Sequence, residues 1–178
     1  SAREMIPTRS MTGDPGPFRF RHFAAIDWSG AAGERHAGIA LAICAAGDEA
    51  PRLVRPGHRW SRGEVLEWIE RSMPENTLFG FDMSFSFAHH DRGAYFPGWT
   101  ESPAETRALW ALVEELSADE PHLAATRVAD HPALAPHFRR HGGREGAAFG
   151  GGRGRFRETE HAQARSGCRP YSNFNLVG

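Results

Sequence analysis

The sequence predicts an α/β domain whose mixed sheet runs through three antiparallel strands, then parallel ones, with helices on its flanks. Three observations carry that expectation. Two short apolar runs, Phe23-Ala24-Ala25-Ile26-Asp27-Trp28-Ser29-Gly30 and Leu78-Phe79-Gly80-Phe81-Asp82-Met83-Ser84, end on the same apolar–Asp–bulky–Ser pattern. Runs this short, bounded by turn residues, read as strands buried on both faces. Two helix-start signals stand between and after them, at Ser61 and Ser102.

Length and composition bound the answer. With 178 residues, 40% apolar, five Trp and 12 Phe, the chain can bury one good core and is short for two. No run approaches the ~18 apolar residues of a membrane helix, and no charged-then-apolar N-terminus resembles a secretory signal. Cys44 and Cys168 form no metal-spaced pair, and Cys44 reads as an inert buried thiol. The expectation is a reducing cytoplasm and no membrane partner. All basic residues are Arg, and the net charge of −1 is unevenly spread. Residues 1–138 carry 13 Arg against 19 Asp and Glu, net −6, and residues 139–178 carry 8 Arg against 3 Glu, net +5. Such a basic segment suits either a phosphate-binding arm or a face docked on its own acidic domain.

Residues 1–17 are polar, rich in Pro and Gly and without period, and read as a flexible N-terminal tail. Residues 18–27 supply the first strand. Residues 37–44 form a second, paired antiparallel with the first as a hairpin. Residues 52–60 offer a weaker third strand. Ser61-Arg62-Gly63-Glu64 has capping-box spacing, and Val65, Leu66, Ile69 and Met73 then fall on one helical face before Pro74. After the second Asp-ending strand comes a loop of aromatics, His and Gly over 85–100. Ser102-Pro103-Ala104-Glu105 opens another helix, with Leu109, Leu112, Val113 and Leu116 on its buried face. A short strand near 125–128 and a helix near 132–138 are both compatible with the mixed signals there. The glycine- and arginine-rich stretch 141–155 has no period and reads as loop. Arg157–His161 reads as the end of a further strand. Tyr171, Phe174 and Leu176 alternate up to the last residues without a capped end, so a domain over 18–178 that lacks its C-terminal part is expected.

Asp27 stands where the first strand leaves the core, the place at which open α/β sheets hold ligands. Asp82 repeats that position. Neighbouring strands lie ~4.8 Å apart, so carboxylates at matching heights can bridge one cation or hold two at ~3.5–4 Å, the arrangement of phosphodiester hydrolysis. Hard oxygen donors without Cys select Mg²⁺ or Mn²⁺. The local alternative is that each Asp caps its own turn, as Asp before Ser and Gly does. The small residues at Ser29-Gly30 expose backbone N–H groups to a phosphate, and Arg153, Arg155 and Arg157 offer a phosphate clamp or a solvated linker. Phe85, Phe87, Tyr95, Phe96 and Trp99 either stack bases at the site's mouth or fold on one another. His89-His90-Asp91, with His58 or His22, has metal-ligating residue types, but adjacent His side chains diverge, and surface histidines are the simpler reading. No Gly-x-Ser-x-Gly elbow marks an acyl-transfer serine.

The order strand, hairpin strand, third strand, helix, Asp-ending strand, helix resembles the ribonuclease-H-like superfamily. Ile26-Asp27-Trp28-Ser29-Gly30, Gly80-Phe81-Asp82-Met83-Ser84, Arg157-Glu158-Thr159-Glu160 and the run from Pro170 to Gly178 resemble in particular a branch of predicted nucleases within it. The resemblance implies first and fourth strands side by side and parallel, and a metal-dependent nuclease or phosphodiesterase acting on nucleic acid. It implies Asp27, Asp82 and Glu160 as catalytic metal ligands, with Glu158 a rival to Glu160. It also implies a C-terminal helix bearing a further ligand, which the sequence does not display. Two alternatives stay open: a non-catalytic nucleic-acid-binding module of the same fold, and an actin- or sugar-kinase-like ATP-binding protein. The latter needs a second phosphate loop, and Gly150-Gly151-Gly152 follows no convincing strand.

Overall fold

The structure, a computed structural model, describes residues 19–31, 33–140 and 142–176. The expected tail over 1–17, together with Phe18, Val177 and Gly178, lies outside the described residues. Strands β1 (His22–Asp27), β2 (Ala40–Ala45), β3 (Arg52–Leu53) and β4 (Thr77–Asp82) form one sheet in the order β3-β2-β1-β4. The first three are antiparallel and β4 runs parallel to β1. Helices α1 (Arg62–Arg71), α2 (Thr106–Ser117) and α3 (Glu158–Arg165) complete an α/β fold.

Helix α1 starts where local chemistry dictates. The Ser61 hydroxyl accepts from the Glu64 N–H at 3.1 Å, and the Glu64 carboxylate accepts from the Ser61 N–H at 2.8 Å. That backbone bond, helped by His58 and Arg35 and opposed by burial, pulls the Glu64 pKa down to about 2. Val65 and Trp68 are buried, and Ile69 and Met73 pack partly, while Leu66 is 44% exposed. The inward face is thus centred on Trp68, one helical turn beyond Val65.

This helix covers the sheet face carrying Ala24, Ile26, Leu41 and Ile43. Each large aliphatic side chain buried there contributes ~1.5–3 kcal/mol. The opposite face is open among the described residues: Ala25 and Gly80 are exposed, and Leu78 is 47% exposed. The expectation of strands buried on both faces is corrected to one. The third strand shrinks to Arg52–Leu53, because the chain turns at Arg55 and sends Trp60 into the core at 1% exposure.

A second core gathers beyond β4, built on Leu109, Phe96, Leu134, Phe138, Phe149 and Phe174. Phe87, Tyr95, Phe96 and Trp99 belong to it, so the aromatic loop has folded on its own rings, with Phe85 left 52% exposed. Helix α2 begins at Thr106, three residues after the predicted start, because the Ser102 hydroxyl accepts from the Phe96 N–H (3.1 Å) instead of capping a helix. The stretch expected as strand or helix over 125–138 forms only 3-10 turns at Arg127–Asp130 and Ala135–His137. Arg157–His161 enters α3 in place of the expected strand, since Glu160 turns back on the Arg157 backbone N–H (2.7 Å) as a cap does. The glycine-rich stretch is packed: Phe149 has no exposure, and a Cβ on Gly154 (φ +81) would stand 2.7 Å from its ring.

Candidate functional site

Register brings the two Asp-ending strands level. Asp27 pairs with Asp82 across the parallel β1–β4 ladder, so the two carboxylates leave the same face at the same height, about one strand spacing apart. Both are exposed, and neither side chain has a hydrogen-bond or ion-pair partner among the described residues. The expected local alternative, an Asp bonded into its own turn, is absent there. Ala25 and Gly80 lie behind the pair on the open face, so no bulky side chain of these two strands crowds a hydrated ion there.

The third expected ligand is engaged elsewhere. Glu160 is 4% exposed and accepts from Arg157 Nε (2.8 Å), Arg157 Nη2 and the Arg157 backbone. Burial pushes its carboxyl up, and the Arg157 bonds outweigh that and hold it below the usual value. Arg157 in turn donates to Ser84 Oγ at 3.0 Å, so the pair braces the chain two residues past Asp82. Glu158 sits by the His90 ring at 3.5 Å and is exposed. Among the described residues no three His, Cys, Asp or Glu side chains converge as a metal-holding group. The donor set at β1 and β4 is therefore two carboxylates. That number suits Mg²⁺, which keeps several waters and takes one or two carboxylates plus substrate oxygens.

The predicted phosphate contacts separate. Ser29 is half-buried and its hydroxyl accepts from the Ala31 N–H at 3.3 Å, an ST turn just past Asp27. Arg153 is exposed and free of partners among the described residues. Arg155 is 6% exposed with its guanidinium on Asp91 and three backbone carbonyls, which fills its donors and takes it from solvent. Arg157 is committed to Glu160. Of the three arginines, only Arg153 is open to an incoming phosphate.

Arg62 is a group that sequence reading missed. It is 5% exposed and donates to the carbonyls of Ser29 (3.0 Å), Ala31 (2.8 Å) and His122 (3.0 Å), fixing the turn after β1. Its position directly after the Ser61 cap hid it as an ordinary helix residue. Beside it, a cleft of about 1430 Å³ opens at the carboxyl ends of β1 and β4, lined by Trp28, Arg62, Met83, Phe85, Trp110 and Arg144 among others. Trp110 was legible in principle: with Leu109 facing the core, the next ring on a helix points away from it.

Two buried histidines bear on pH. Burial, then the Arg62 charge, holds His36 below its ordinary pKa. Burial, then Arg155 and Arg92, does the same for His137. His36 Nε2 and His137 Nδ1 are buried without partners among the described residues. The unfolded chain therefore binds protons that the folded chain refuses. Stability is expected to be level above about pH 6.5 and to fall below it, by up to ~1.4 kcal/mol per pH unit for each histidine. Urea midpoints at pH 7.5 and 5.5 test this, well above the range in which Glu64 protonates; equal midpoints would refute it.

Comparison with protein-family models, with curated proteins and with solved structures returns no match.

Proposed function

We propose that this chain is a ribonuclease-H-like, divalent-metal-dependent phosphodiesterase acting on nucleic acid, with Asp27 and Asp82 as the groups that hold Mg²⁺ or Mn²⁺. The observation that carries the reading is the level pairing, at the ends of adjacent parallel strands, of two carboxylates without a partner among the described residues. Like charges in register destabilise a sheet, and a bound cation is what turns that cost into a use. The strand order, with β1 against β4 and antiparallel β2 and β3 beyond, supports the superfamily resemblance.

When bound, the cation supplies a water acidic enough to act as nucleophile and neutralises charge on the scissile phosphate. The chain's own part is positioning. Asp27 and Asp82 hold oxygens on one side of the site. The Ser29 turn, tied down by Arg62, lies beside it. Glu160 acts at one remove, by fixing Arg157 on Ser84 and so the exit of β4. Arg153 is free to meet a phosphate.

The test is a thermal melt against Mg²⁺ or Mn²⁺. At a hundredfold excess over Kd the folded state gains ~2.7 kcal/mol, which for a chain of this size is a rise of roughly 5–10 °C in Tm. Asp27→Asn is expected to abolish the rise. A melt that ignores both metals would refute the reading. The absence of a third converging acid favours one rival, a non-catalytic module of the same fold. That rival binds nucleic acid in a salt-dependent way and leaves it intact with Mn²⁺.

A further inference from the structure

We propose that the cleft at the carboxyl ends of β1 and β4 binds single-stranded nucleic acid, stacking unpaired bases on Trp110 and Phe85, meeting phosphates with Arg144 and drawing them in through the positive field of Arg62 and Arg140. This rests on the phosphodiesterase reading for the reaction but not for the binding.

The rings are the first observation. Trp110 on α2 is 51% exposed and Phe85, just past β4, is 52% exposed, while the other described aromatics except Tyr171 are buried or half-buried. Trp110 is not loose: its indole N–H donates to the Phe85 carbonyl at 2.7 Å, which ties α2 to the exit of β4. A large ring held still in solvent by its polar edge stacks a base at little entropic cost.

Charge is the second observation. Arg62 is a buried cation whose hydrogen bonds all end on carbonyls, with no carboxylate partner among the described residues. Arg144 is exposed and its side chain has no partner there either, while Arg140 is held by Asp130 and the Ala129 carbonyl. Asp130 and Glu114 also line the cleft, so three guanidinium groups face two carboxylates and the balance favours an anion. Arg62 matters most, because an uncompensated charge away from water interacts strongly.

A third observation concerns hydrogen bonding. Asn173 and Asn175 both line the cleft, and Asn175 Oδ1 is buried with no partner among the described residues. An orphaned amide acceptor calls for a donor such as the ring N–H of a thymine or uracil or the exocyclic amine of another base. At about 1430 Å³ the cleft exceeds the ~300–1,000 Å³ of small-ligand pockets, which suits a short run of polymer. A duplex hides its base faces and would leave the rings idle. Trp28 and Met83, the residues next to Asp27 and Asp82, line the same cleft, so a strand lying in it runs along the carboxyl ends of β1 and β4.

Fluorescence anisotropy in EDTA tests the inference without any metal, using a labelled oligothymidylate and an oligouridylate of about 12 nucleotides and a duplex of the same length. Either single strand is expected to bind at least about tenfold tighter than the duplex. Trp110→Ala is expected to weaken it fivefold or more, roughly the loss of one stacked base. Arg144→Ala is expected to weaken it and lower the salt slope by about one. Circular dichroism confirms folding, and if Trp110→Ala does not fold, Phe85→Ala takes its place. Duplex binding as tight as single-strand binding, or a Kd that neither variant moves, overturns the proposal. Because metal is excluded, that failure leaves the metal titration standing, and a silent metal titration leaves this result standing.

Discussion

Arg155→Ala is expected to cost 3–5 kcal/mol of stability, on the order of what breaking a buried ion pair costs. The guanidinium reaches from the glycine-rich stretch into the loop after β4. It donates to both Asp91 oxygens (2.8 and 2.7 Å) and to the carbonyls of Tyr95 (2.7 Å), Ala94 (2.9 Å) and Ala88 (3.0 Å). It also lies over the Phe174 ring, 5.3 Å from its centre. Removing it leaves three carbonyls and a carboxylate that Arg155 had held below its usual pKa, all without donors. In a chain of this length the Tm should fall by roughly 6–20 °C. Arg155→Lys should recover little, because an ammonium cannot fork onto Asp91 and span three carbonyls at once. Arg153→Ala, two residues away and exposed, should melt like the parent. Equal melts for the Arg153 and Arg155 variants would show that the guanidinium holds nothing together.

The same pair of residues marks how far sequence carries. Arg153, Arg155 and Arg157 are one residue type at even spacing among glycines, and nothing local tells the buried one from the free one. What separates them is Asp91 and a ring of carbonyls some 60 residues away in the chain. Where the determinant is local, the reading held. The capping box at Ser61, the hairpin of β1 and β2 and the two Asp-ending strands follow from residues a few positions apart. Where a tertiary partner intervenes, it failed. Ser102 has the spacing of a cap but its hydroxyl accepts from the Phe96 N–H, and the stretch 157–161, read as a strand end, enters a helix whose first turn is closed by Glu160. The carboxylate pair was legible because two strands repeat one pattern. The cleft was not, because Trp110, Arg62 and Asn175 come from three separated stretches, each ordinary in its own surroundings.

Asp82→Asn is expected to separate stability from function with opposite signs. At neutral pH and low salt the two carboxylates repel across one strand spacing, so neutralising either should stabilise the metal-free protein by roughly 0.5 kcal/mol, a gain that fades as salt screens the pair. The response to Mg²⁺ should vanish, and cleavage should fall more than about a hundredfold, beyond the loss that follows removal of an outer-shell partner of a metal ligand. Asp27→Asn should match it on both counts, and the double variant should be no less active than either alone, because the two oxygens act as one unit. Glu160→Gln should behave otherwise. It leaves Arg157 without its carboxylate, so the melt should drop while the Tm rise on adding metal persists. Two ordinary surface aspartates would give the reverse of the first pattern: no gain in the metal-free melt, and an undiminished shift when Mg²⁺ is added.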